Sequence, residues 1–191
     1  LIAFLEGLLS GAFRFELHKS GGEEALEAIT VNVLVDNVAE AEHRLEKVTH
    51  LMNGVNLSRE WSHEPPNIIN PVTLANRAKK LSKDTGLKCT IFDETKLHNM
   101  GAGAILSVGL GSKTPSQMIM LEHKGPGTTA RTKPVVVVGK AITFDTGGYS
   151  LKPTKGMLGM KFDKCGGMTV VGVMQAAAAL DLPIRVIGIV A

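Results

Sequence analysis

The sequence predicts an α/β protein with a mixed, largely parallel central sheet flanked by helices. Val135–Val138 is a continuous β-branched run, the pattern of a strand covered on both faces. Ile184–Val190 is a second apolar run, and the alanine-rich stretch 167–180 between the two has the length and composition of a helix. Buried strand, helix and buried strand in succession argue for an α/β layer with helices on both faces. Hydrophobic residues make up 44% and charged residues 20% of the chain, ordinary for a globular protein and unlike a disordered one.

The elements follow in order. Residues 2–13 place apolar side chains at helical spacing, and a turn-rich segment follows. Residues 28–35, AITVNVLV, alternate and are β-branched, which predicts a strand. Residues 37–59 read as a long helix connecting two domains. His43 and His50 sit seven apart on it and read as a surface or packed pair rather than metal ligands. The paired prolines of WSHEPPNIINP, 61–71, end that helix. Pro71 suits the first turn of a helix running to Thr85. A strand, Leu87–Phe92, and a short helix around Glu94–Met100 come next. The stretch 101–112, GAGAILSVGLGS, lacks the glycine-lysine pair of a phosphate loop, so its glycines read as allowing tight backbone packing. Met118–Glu122 is a further strand, joined to Val135–Val138 by the flexible GPGTTARTK.

Composition excludes several function classes. The formal charge of +3 comes from lysines and arginines interleaved with acids, so no nucleic-acid partner is expected. No apolar run is long enough for a membrane span and no signal pattern opens the chain, which predicts a cytoplasmic protein. Cys89 and Cys165 are too few for a disulfide framework and read as reduced thiols. No second cysteine or histidine stands at ligand spacing from Cys165, which reads as a small structural residue. The chain starts at Leu1 inside an apparent helix and ends at Ala191 after a strand, so both ends read as cut.

The chemistry concentrates after Val138. The loop that follows carries Lys140, Asp145, Lys152, Lys161 and Asp163 and leads through Gly166-Gly167 into the alanine-rich helix. Ligands in open α/β sheets sit beyond the carboxyl ends of strands, and a helix N-terminus favours negative charge. Strand, acid-and-lysine loop and helix start together outline a metal or anion site.

This stretch resembles the leucyl aminopeptidases, whose signature runs Val-Gly-Lys-Gly-x-x-Phe-Asp-(Ser/Thr)-Gly-Gly-x-x-x-Lys-Pro and then Met-Lys-x-Asp-Met-x-Gly. Here it stands as Val138-Gly139-Lys140-Ala141-Ile142-Thr143-Phe144-Asp145-Thr146-Gly147-Gly148, with Lys152-Pro153, then Met160-Lys161-Phe162-Asp163-Lys164-Cys165-Gly166. Ala141 replaces a glycine and Lys164 a methionine; upstream, His63 replaces an asparagine before Pro65-Pro66-Asn67. The resemblance implies a hydrolase with two divalent cations, manganese or zinc and possibly magnesium. Lys140 and Asp163 would ligate one cation and Asp145 would bridge both. Lys152 would be the catalytic cation that polarises the peptide carbonyl, and Met160 would line the pocket for the substrate's N-terminal side chain. A ligating lysine must be the neutral amine, and carboxylates suit these metals. The resemblance further implies peptide substrates and a homohexamer. Residues 1–37 would close a smaller α/β N-terminal domain, 38–62 would form the connecting helix, and 63–191 would begin the catalytic domain. The family's second acidic motif, Asn-Thr-Asp-Ala-Glu-Gly-Arg, is absent from these residues, so the segment alone is expected to be inactive. The alternative is an incomplete fragment serving assembly or DNA interaction.

Overall fold

The computed structural model describes residues 1–20 and 29–191. Its described strands are β1 (Lys88–Phe92), β2 (Met118–Lys124), β3 (Val135–Gly139) and β4 (Arg185–Val190), hydrogen-bonded in the order β1-β2-β4-β3. The α/β class and the mixed sheet are as expected. The sheet is not largely parallel among the described residues: β1–β2 and β2–β4 are antiparallel and β3–β4 is parallel. A parallel pair needs a long crossover, and the β3-to-β4 connection carries one as helix α7 (Cys165–Ala179).

Alternation along the strands sends Ile91, Ile119, Leu121, Val137, Val186 and Val190 to one face. There they form a single core with Leu74, Ala75 and Ala78 of helix α3 (Pro71–Thr85) and Met168, Val171 and Met174 of α7. The strand expected to be covered on both faces is not. Among the described strands β3 lies at the sheet edge with one neighbour, and its outward Val136 and Val138 are 50% and 68% exposed. A run of valines reports strand propensity, while cover depends on the neighbours a strand receives.

Helix α1 (Ile2–Gly11) packs Leu5 against Val48 and Met52 of helix α2 (Val38–His63). α2 begins at Asn37, whose side chain accepts from the Glu40 amide at 3.1 Å, and runs one turn beyond the expected Arg59. It stops at Glu64 because the residue before a proline avoids the helical region; Glu64 has ψ 132°. The predicted strand 28–35 is not formed where it can be judged. Residue 28 lies outside the described residues, 29–35 are irregular, and Ile29 and Leu34 are 82% and 99% exposed. No described strand pairs with this segment, and a lone strand leaves its backbone groups to water.

α3 matches its expected bounds. Asn70 caps it through Val72 and Thr73, Pro71 occupies the first turn, and Gly86 closes it at φ 74°. The short helix α4 (Glu94–Asn99) is followed by α5 (Gly103–Gly109), so the glycine-rich stretch is partly helical. Only Gly109 among its glycines meets a close neighbour, Ser116. Helix α6 (Thr154–Met157) runs into a 3₁₀ turn, Leu158–Phe162. Behind the sheet, α2 lies against α7 so closely that a Cβ on Gly54 would stand 2.5 Å from the Gly172 carbonyl oxygen. Ser58 crosses the same seam, donating to the carbonyl of Met168 at 2.8 Å.

Candidate metal centre

The site grows from the carboxyl end of β3. Gly139 ends the strand against α7, where a Cβ would lie 2.3 Å from the Gly166 carbonyl oxygen. The Gly167 amide then donates to the Lys140 carbonyl, so this N-terminal amide of α7 holds the backbone of a predicted ligand rather than an anion. Ala141, which replaces a glycine of the resembled signature, packs its methyl against Gly167.

Two acid–lysine pairs result. Lys140 Nζ meets Asp163 Oδ1, with the lysine side chain 53% and the aspartate side chain 17% exposed. Lys152 Nζ lies 2.8 Å from Asp145 Oδ2, donates to the Asp145 carbonyl at 3.1 Å, and contacts the Met160 sulfur at 3.0 Å. Asp145 Oδ1 also accepts from the Gly147 amide at 2.9 Å. Gly147 makes that turn at φ 93°, where a Cβ would run into the Ser150 carbonyl. The Lys152 hydrogen bond, then the Gly147 amide, hold the Asp145 carboxyl below its ordinary range, and the positive charge of Lys140 adds to the effect. The predicted residues therefore form one polar strip, with Met160 placed beside Lys152 on the 3₁₀ turn.

The donor set fits a divalent cation. Asp163 Oδ2 is buried without a hydrogen-bond partner, an acceptor left over beside the Lys140 amine. Oxygen donors with an amine suit manganese, zinc or magnesium. Among the described residues no cluster of three histidines, cysteines or acids is placed to hold a metal, and here a lysine is one of the three candidate donors. His43 and His50 belong to no such cluster; His50 stands 3.9 Å from Glu46 one helical turn away. Cys165 is a free, half-buried thiol.

Two groups behind the strip were not singled out from sequence. The Lys164 side chain is fully buried, and its ammonium donates to the carbonyls of Ser62, Glu64 and Lys161. Burial pulls its pKa down to about 8, and at neutral pH it remains the ammonium. The buried Glu64 carboxylate takes His18 at 2.6 Å and Arg77 at 3.2 Å. Burial raises the Glu64 pKa, but those two hydrogen bonds outweigh it, and the net displacement is downward. The only sequence signal for Lys164 was its departure from the signature.

Comparison with known proteins places the strip in context. A family profile described as "Cytosol aminopeptidase family, catalytic domain" matches residues 56–191. The chain is 42% identical to a probable cytosol aminopeptidase of Rhodopirellula baltica, over 98% of this chain and 35% of the relative. It is 40% identical to the cytosol aminopeptidase of Pseudomonas aeruginosa, over 98% of this chain and 38% of that one. Among solved structures, the bottromycin maturation enzyme BotP in complex with Mn superposes with a TM-score of 0.83 at 28% identity, covering 99% of this chain and 38% of BotP. The apo leucyl aminopeptidase of Trypanosoma cruzi gives a TM-score of 0.71 at 30% identity, covering 75% of this chain and 28% of that one. The chain thus spans a little over a third of the curated relatives it matches. It belongs to the cytosol aminopeptidase family, with residues 56–191 matching the family's catalytic domain.

Proposed function

We propose that the full-length protein is a metal-dependent aminopeptidase that releases the N-terminal residue, leucine or another mostly apolar one, from peptides. The observation that carries this reading is the strip itself. Two carboxylates, two lysines and an orphaned buried carboxylate oxygen are gathered at the end of β3, inside the family's catalytic-domain match.

Lys140, Asp145 and Asp163 are the residues that would hold divalent cations, with Asp145 shared between two. Bound cations supply Lewis acidity, which makes water a nucleophile at neutral pH. Lys140 can serve only after giving up its proton, and its present partner, Asp163, is the neighbouring ligand. Lys152 keeps a fixed positive charge at the strip, where it would polarise the scissile carbonyl and stabilise the oxyanion that develops there. Met160 is flexible and apolar, suited to an aliphatic side chain at the substrate's N-terminus. A manganese-containing structural relative supports divalent metal use without choosing the metal.

A cytoplasmic homohexamer is the assembly and location we propose. In support of the location, the curated relatives that the chain matches are named cytosol aminopeptidases. Sedimentation of the full-length protein should give the mass of six chains. Incubating that protein with a leucyl peptide should release free leucine. A chelator should stop the release, and added Mn²⁺ should restore it. An untouched peptide in the presence of Mn²⁺, Zn²⁺ or Mg²⁺ would remove the proposal.

A further inference from the structure

Lys164 is a fully buried cation with no carboxylate as its partner among the described residues. Its ammonium has three N–H groups, and each has a carbonyl: Ser62 at 3.1 Å, Glu64 at 2.7 Å, and Lys161. The first two carbonyls belong to the C-terminal end of α2, where orphaned carbonyls carry partial negative charge and favour a cation. The third belongs to the 3₁₀ turn that presents Met160. The same turn is closed by the Asp163 amide, which donates to the Met160 carbonyl at 3.1 Å. On its other side the Lys164 carbonyl accepts from Met168 in the first turn of α7. Asp163 therefore sits between two fixed points, with one oxygen on Lys140 and the other buried and unpaired.

The anchor behind Lys164 is itself tied to its surroundings. Glu64, whose carbonyl receives the ammonium, has its carboxylate tied to Arg77 of α3 and to His18. α2 is pressed on α7 through Gly54 and Gly172. The turn bearing Met160 and Asp163 is thus hung on the end of α2 by one side chain.

We infer that Lys164 is a positioning residue, whose three carbonyl contacts hold Asp163 and Met160 in the geometry that metal binding and turnover require. The inference rests on the aminopeptidase reading for its effect on turnover. Its effect on metal affinity is independent of that reading. Lysine to methionine, the residue the resembled signature carries here, keeps the length of the side chain, removes the donors, and takes the ammonium from the carbonyls of Ser62, Glu64 and Lys161, which this chain has arranged around it. A displaced turn moves a ligand and a pocket residue without touching either, and supporting groups around metal sites typically govern about 10–100-fold in affinity or activity.

The test compares full-length wild type, Lys164→Met and Ser58→Ala. Ser58 bridges α2 to α7 away from the turn and reports general loosening of that seam. For Lys164→Met we expect kcat for leucyl-peptide hydrolysis about 10–100-fold lower, KM within about twofold, and Mn²⁺ affinity by calorimetry about 10-fold weaker. Ser58→Ala should lower the thermal midpoint while keeping kcat and Mn²⁺ affinity. Wild-type kcat and Mn²⁺ affinity in Lys164→Met would overturn the inference. So would a change in KM alone, or the same losses in Ser58→Ala. Should Lys164→Met not fold, Lys164→Leu, which likewise removes every donor, is judged by the same outcomes. If the wild type releases no leucine, the aminopeptidase reading falls, and the Mn²⁺ titrations still decide the role of Lys164.

Discussion

Lys152 is the residue whose surroundings say most about its work. Its ammonium is held by the carboxylate and the carbonyl of Asp145 and by the sulfur of Met160, so its charge is fixed in place before any substrate arrives. Preorganised charge of this kind acts on the transition state. Lys152→Ala should therefore lower kcat about 10²–10³-fold with little change in KM, the scale of one lost oxyanion donor. Steady-state kinetics of the full-length protein checks this; a rise in KM at unchanged kcat would make Lys152 a binding residue. The strip was legible in sequence because its members lie close along one loop, within a signature the chain nearly completes. Lys164 was legible only as a departure. Its partners Ser62 and Glu64 lie 102 and 100 residues upstream, and no local pattern marks a contact of that span.

Among the elements, α2 links what the sequence separated. Its end is tied to α3 and to residue 18 through the Glu64 side chain, and to the site turn through the Glu64 carbonyl. Because the folded pKa of Glu64 is lowered, its stabilisation is fully present above the unfolded value of 4.5 and fades as pH falls through the folded pKa. Glu64→Gln should cost about 2 kcal/mol at pH 7, the scale of hydrogen bonds to a charged group. Its stability curve should converge on that of the wild type once the pH has fallen below the lowered folded pKa, as followed by denaturant unfolding across the acid range. Parallel curves over that range would contradict the assignment. At the seam with α7, Gly172→Ala would put a methyl 2.3 Å from the Gly54 carbonyl oxygen. Overpacking of that kind costs about 1–3 kcal/mol, readable as a lower thermal midpoint. Helices read well from sequence where local chemistry sets both ends, as Asn70, Pro71 and Gly86 do for α3. Strands read less well, because β-branched residues declare propensity and not partners. Residues 29–35 have the composition of a strand and no strand to pair with among the described residues. Val135–Val138 does form a strand, but at an edge that leaves Val136 and Val138 exposed.

For the whole molecule, the mixed sheet with α3 and α7 on one face does one thing for function. It places the end of β3, the start of α7 and the end of α2 around a single strip of acids and lysines. The chain spans a little over a third of its curated relatives, so turnover belongs to a test of the full-length protein. Asp145 is the centre of that test. It is the one acid held by both Lys152 and the Gly147 turn, and the acid assigned to both cations. The decisive measurement is release of leucine from a leucyl peptide by full-length Asp145→Asn saturated with Mn²⁺, beside the wild type. The account predicts an active wild type and a variant that folds normally and has no measurable turnover. A variant turning over at the wild-type rate would contradict the assignment of this loop as the catalytic metal site.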